Sequence, residues 1–170
     1  GWREPLGADA DHLKTREDAR RCADAGFTLF TIDPGDGVDD EAATATGSEL
    51  QAKLDALPWE GLETTREELL GAYRGRRLGA EGLELEFGEE ELARAAAKYG
   101  AALAHVAQMH RAIASFGVPY ELEVSVDETG TPTTPFEHAF LALELRRLGV
   151  PVVSLAPRFV GRFEKGVDFR

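Results

Sequence analysis

The chain is short of cysteine, of positive charge and of long apolar runs. Cys22 is its single cysteine, which excludes an internal disulfide and a cysteine-based zinc cluster and is the pattern expected in a reducing cytoplasm. The 19 Lys and Arg are outnumbered by 31 Asp and Glu, for a net charge of −12. A field of that sign disfavours nucleic acid and anionic membrane as partners, while leaving room for a local basic pocket that takes one small anion. No apolar stretch approaches the roughly 18 residues of a membrane span, and no signal-like segment is present. Phosphate loops, dinucleotide fingerprints and nucleophile elbows are also missing, which argues against nucleotide-binding and serine-hydrolase functions.

What is present is the composition of a folded domain: 170 residues, 43% hydrophobic and 29% charged, enough for a real core. Glu4 to Ala10 reads as a short strand. Thr15 then caps a helix that Gly26 stops, and Phe27 to Asp33 is a buried strand ending in the turn Pro34-Gly35-Asp36-Gly37. From Val38 to Phe87 the pattern changes. Ser48 with Gln51 and Thr64 with Glu67 resemble capping boxes of short helices, and Leu83, Leu85 and Phe87 alternate with Glu84 and Glu86 as a half-exposed strand.

Glu89 to Phe116 is the longest helical pattern, with Leu92, Ala96, Tyr99, Leu103, Val106, His110 and Ile113 on one face. Tyr120 to Val126 is a third main strand, Thr134-Pro135 with Glu137 opens a helix to Leu148, and Val150 to Leu155 is a fourth strand. Alternating strands and helices indicate a parallel α/β fold. The expected organisation is residues 1–37 as a β/α/β unit, 38–87 as an inserted small subdomain and 88–170 as the continuation. In the third strand Leu122, Val124 and Val126 share one face, and Glu121, Glu123, Ser125 and Asp127 the other. A carboxylate-lined face is costly under helices but suits a polar barrel mouth.

Two acidic clusters could carry chemistry. Asp9-Ala10-Asp11-His12 is placed at the C-terminal end of the first strand, where parallel α/β enzymes put reactive groups. Its carboxylates and imidazole suit a divalent ion, or form a solvated loop whose histidine caps the next helix. Glu123 and Asp127 face one side about 13 Å apart along their strand, at different depths of one cavity. Asp33 ends the second strand, Arg158 follows the fourth, and Lys14 stands beside His12. Two cations at strand ends of an acidic chain fit a small anionic ligand, or simply balance neighbouring acids. His110 lies in an apolar stripe, so packing accounts for it better than ligation.

Asp9-Ala10-Asp11-His12-Leu13-Lys14-Thr15, Gly26-Phe27, Thr31-Ile32-Asp33-Pro34, Lys98-Tyr99-Gly100, Glu123 through Thr129, Pro132-Thr133-Thr134-Pro135 and Ser154 through Gly161 together resemble the tagaturonate epimerase family. The resemblance implies a partial (β/α) TIM-barrel-like fold with an inserted helical and strand subdomain, in a metal-dependent enzyme of hexuronate catabolism that interconverts tagaturonate and fructuronate. Members are longer than this chain, which on that basis is an internal fragment, with further histidine ligands expected beyond Arg170. With a divalent cation as cofactor and a keto sugar acid as substrate, chemistry assigns His12 to the metal and Asp11 and Glu123 to acid/base work. Lys14, Asp33, Asp127 and Arg158 are assigned to the substrate. The competing expectations are another metal-dependent sugar isomerase or aldolase on a similar barrel, and a sugar-acid-binding fragment without activity. Four strands of a presumed eight leave open edges, so the isolated chain is expected to be inactive and poorly soluble.

Overall fold

The structure, a computed structural model, describes Arg3, residues 7–80 and residues 82–161. Four parallel strands form the main sheet: β1 (Asp9–Leu13), β2 (Leu29–Ile32), β5 (Glu121–Ser125) and β6 (Val152–Ala156), hydrogen-bonded in that order. Between them run α1 (Arg16–Asp24), α2 (Gly47–Asp55), α3 (Arg66–Tyr73), a hairpin of β3 (Arg77–Ala80) and β4 (Leu83–Glu86), α4 (Glu89–Ala114) and α5 (Pro135–Arg147). Sheet neighbours follow chain order, so no strand is inserted between earlier ones.

Alternation sorts the sheet into two faces. Ala10, Phe30, Ile32, Leu122, Val124 and Val126 are each at most 4% exposed and share one core cluster with residues of α1, α4 and α5. Burying side chains of this size contributes about 1.5–3 kcal/mol each for the larger ones. The opposite face carries Asp9, Thr31, Glu123 and Ser125, as the alternation in the third main strand predicts.

Helix α4 organises the interior. Its 26 residues make a rod about 39 Å long. The expected stripe of Leu92, Ala96, Tyr99, Leu103, Val106 and Ile113 is buried, while His110 is part-buried with Nε2 3.0 Å from the Tyr120 hydroxyl. Ala93, Ala95, Ala97, Ala102 and Met109 are buried too, because residues 38–87 cover a second side of the rod. From that segment Leu50, Leu54, Leu62, Leu69, Tyr73 and Phe87 enter the same core cluster. Phe87 lies against Tyr73 and Phe136, with ring centres 5.7 and 4.6 Å away.

Three local expectations are corrected. The first strand is Asp9–Leu13, not Glu4–Ala10; residues 4–6 lie outside the described residues, and an irregularity between Ala10 and Leu13 hides the alternation. Helix α2 starts at Gly47 after Thr46 with no side-chain cap bond, so Ser48 and Gln51 form no capping box. The box expected from Thr64 and Glu67 is formed one residue later by Thr65 and Glu68, whose spacing is identical. The caps at Thr15 and Thr134 sit where expected: Thr15 accepts from Asp18 N–H, and Thr134 and Glu137 form a capping box behind Pro135. Among the described residues no helix is long and apolar enough to cross a membrane.

Candidate functional site

The site is built on a bulge in β1. Ala10 pairs with Phe30 and Leu13 with Ile32, so three steps on β1 face two on β2. The extra residue keeps Ala10 and Leu13 in the core while Asp11 and His12 both stay outside it. His12 absorbs the distortion at φ 53°, a left-handed conformation that His tolerates better than most residues and that is concentrated at functional sites. Asp9 therefore opens β1 instead of closing it, and only Asp11 and His12 stand at the strand's C-terminal end.

Asp33, just after β2, is 6% exposed and orients the imidazole: its Oδ2 lies 3.2 Å from His12 Nδ1. Oδ1 accepts the Gly35 N–H at 2.8 Å, and Lys14 Nζ is 3.7 Å from Oδ2. Burial would raise the Asp33 carboxyl, but the Gly35 N–H, His12 and Lys14 together hold it below the usual carboxylate range. An ionised Asp33 only accepts, so Nδ1 carries the proton of this bond. Nε2 then faces Asp11 Oδ1 at 3.6 Å and Asp127 Oδ1 at 4.0 Å.

Asp127 follows β5 and receives the Ser125 hydroxyl at 2.7 Å. The next residue, exposed Glu128, completes a group the sequence analysis did not single out. One ligand atom from each of His12, Asp33 and Glu128 lies within 4.8 Å of the others. An imidazole with two carboxylates is a donor set suited to divalent ions, so these residues fit the cation expected from the sequence. Lys14 also bonds Asp36 Oδ1 at 2.8 Å, and these two acids raise its ammonium above the ordinary value, the Asp36 bond most of all.

Glu123 sits deeper on the polar face, beside Thr31 and Asp9. Its Oε1 is 3.2 Å from the Thr31 hydroxyl, which is also 3.0 and 3.1 Å from the two oxygens of Asp9. Thr31 is fully buried, and its one proton serves one carboxylate at a time. The structure thus separates two groups: Asp11, His12, Lys14, Asp33 and Asp127 at the strand ends, and Glu123 with Asp9 below them.

The loops carrying these residues are tied to one another. Asp40 accepts from Gly130 N–H at 2.7 Å, from Thr131 N–H at 3.0 Å and from the Thr131 hydroxyl at 2.6 Å. Farther along the same loop, Thr133 exchanges two bonds with the backbone of Arg158. Arg158 is thereby tied to the loop after β5 through its main chain. Neither tie has a local sequence signal, since the partners are 91 and 25 residues apart.

A family model described as tagaturonate epimerase matches residues 1–170, the whole chain. The chain belongs to the tagaturonate epimerase family. The tagaturonate/fructuronate epimerase of Thermotoga maritima is 41% identical over 170 residues, which are 100% of this chain and 34% of that protein. The glycerol-complexed crystal structure of the fructuronate-tagaturonate epimerase UxaE from Cohnella laeviribosi is similar with a TM-score of 0.84 at 36% identity, over 96% of this chain and 33% of that one. Its native crystal structure gives the same TM-score at 35% identity. This member of the tagaturonate epimerase family thus spans about a third of the length of these relatives.

Proposed function

We propose that the protein carrying this chain interconverts tagaturonate and fructuronate, and that residues 1–170 supply part of a TIM-like β/α barrel and one side of its active site. The observation that carries this reading is the convergence of Asp11, His12, Lys14, Asp33, Asp127 and Glu128 at the C-terminal ends of β1, β2 and β5, the end where such folds place their chemistry. Strand order supports the barrel. A doubly wound sheet reverses order at a switch point, whereas here β1, β2, β5 and β6 follow one another, and the polar face would line the interior.

His12, Asp33 and Glu128 would hold a divalent cation, which when bound supplies positive charge for an enolate oxygen. The two sugar acids differ at C4 and carry their ketone at C2, so removing the C3 proton would leave C4 unchanged. A retro-aldol route fits. Asp11 or Glu123 takes the C4 hydroxyl proton, the C3–C4 bond breaks, its electrons form an enediolate across C2 and C3, and C4 becomes an aldehyde. The aldehyde turns over, C3 attacks its other face, and a carboxyl group returns the proton to the new C4 oxygen. No atom is gained or lost. Glu123 and the strand-end carboxylates stand at different depths, so proton transfer from two sides is the role assigned to Glu123 and Asp11. Lys14 and Arg158 take the uronate carboxylate, and Asp127 a hydroxyl group.

The test is NMR-monitored epimerisation of tagaturonate by the intact protein. Asp11→Asn and Glu123→Gln are each expected to lower kcat by about 100-fold or more, the range of a lost general acid or base; turnover near that of the unsubstituted protein would sink the assignment. Equal turnover of fructose or tagatose would instead favour a less selective sugar isomerase.

A further inference from the structure

We infer that Thr133 is a positioning residue for Arg158, a two-point clip that sets the stem of the cation meant for the substrate carboxylate. The inference rests on the role proposed for Arg158. Thr133 N–H donates to the Arg158 carbonyl at 2.8 Å, and Thr133 Oγ1 accepts the Arg158 N–H at 3.0 Å. Both main-chain polar groups of Arg158 are thus held by one residue, 25 positions earlier in the chain. In the described sheet β6 bonds only to β5, and the last sheet-type bond on that side runs from Val126 N–H to Ala156 O. Beyond Ala156, the Thr133 clip is the next anchor.

Thr133 can act this way because its own loop is fixed from behind. The buried Tyr99 hydroxyl on α4 reaches Thr133 Oγ1 at 3.5 Å. The neighbouring Thr134 N–H donates to Glu137 Oε2 at 2.7 Å, and the other oxygen of Glu137 is held at 3.0 Å by Lys98, itself 1% exposed. Asp40 grips the loop two and three residues before Thr133. A guanidinium recognises a carboxylate through a planar fork, so its contribution depends on where the side chain starts as much as on its charge. A stem displaced by an ångström loses the paired bonds while keeping the field.

Steady-state kinetics of the intact protein with tagaturonate separate this from a general structural role. Thr133→Val keeps the shape and the N–H bond but removes the acceptor, and is expected to raise KM about tenfold with kcat changed by no more than about twofold, as for a lost carboxylate contact. Thr133→Ser restores the hydroxyl and is expected to restore KM. Arg158→Gln should raise KM at least as much, and adding Thr133→Val to it should raise KM no further. Thr133→Ala makes the same test should the Val variant fail to fold. An unchanged KM in the hydroxyl-free variants, or a further rise in the Arg158→Gln background, would overturn the inference. An unchanged KM for Arg158→Gln would overturn the carboxylate role and the inference with it. Absence of tagaturonate turnover in the unsubstituted protein counts against the proposed function itself.

Discussion

Asp40 holds Thr131 twice with one oxygen: Oδ1 accepts the Thr131 N–H at 3.0 Å and its hydroxyl at 2.6 Å, while Oδ2 takes the Gly130 N–H at 2.7 Å. A single carboxylate after β2 thereby organises the loop after β5, the loop that begins with Asp127 and Glu128. Burial alone would raise the Asp40 carboxyl, but the Thr131 hydroxyl, the two N–H groups and the Lys98 charge lower it below its ordinary 3.8.

That direction fixes a pH dependence. A carboxyl lowered in the folded state contributes stability that is present above its unfolded value and is lost as pH falls through the folded one. Asp40→Ala is expected to cost about 2 kcal/mol near neutral pH, the range of hydrogen bonds to a charged group. The difference in Tm between the variant and the unsubstituted protein should stay level from about pH 5 upward and shrink below about pH 4. A difference that grows with acidity would contradict the assignment.

Gly37 brings the loop after β2 directly against the backbone of α4. A Cβ added there would lie 2.9 Å from Ala102 N and 3.0 Å from its Cα, and a helix backbone cannot yield as a side-chain tip can. Gly37→Ala is expected to destabilise by about 1–3 kcal/mol, as overpacking does. Because Asp33 and Asp36 precede this contact by a few residues, turnover should fall as well. Denaturant unfolding together with an epimerisation assay checks both, and a neutral Gly37→Ala would show that the loop can lift from α4 at no cost.

Much of this fold was legible because its signals are local. Thr134-Pro135 with Glu137 marks a helix start through bonds made within four residues, and Leu122, Val124 and Val126 declare their face by alternation alone. What escaped depends on partners distant in sequence. The bulge that turns out both Asp11 and His12 is defined only by pairing with Phe30 and Ile32. Glu128 joins His12 and Asp33 because its loop is shaped from Asp40, which no spacing rule connects to it. Strand β3, Arg77–Ala80, has no alternation to read and forms only against β4. The strand-end group was therefore found as a set of residues, and its geometry came from the loops.

Lys98 and Glu137 make a buried pair, Nζ to Oε1 3.0 Å, with side-chain exposures of 1% and 11%. Removing one partner of such a pair strands the other charge, at a cost of about 3–5 kcal/mol. Lys98→Met should show that loss in chemical denaturation, and the double variant Lys98→Met/Glu137→Gln should recover part of it because no lone charge remains. The recovery will be incomplete, since Glu137 also caps α5 through the Thr134 N–H. If the double variant were less stable than either single one, the pair would not be the source of the cost.

The proposed cation site makes the most direct prediction about binding. His12 is turned by Asp33, and ligand atoms of His12, Asp33 and Glu128 lie within 4.8 Å of one another. If these residues hold a divalent cation, removing the imidazole should weaken binding more than removing exposed Glu128, because Asp33 fixes the orientation of the ring. Calorimetric titration of the chelator-treated intact protein with zinc or manganese should give one site, weakened about 10–100-fold in His12→Ala and less in Glu128→Gln. Asp33→Asn should weaken binding as well, since an amide replaces one of the charged ligand groups. The same order should appear in the metal concentration that restores epimerisation. Equal binding by all three variants would place the ion elsewhere and leave the strand-end acids to the sugar alone.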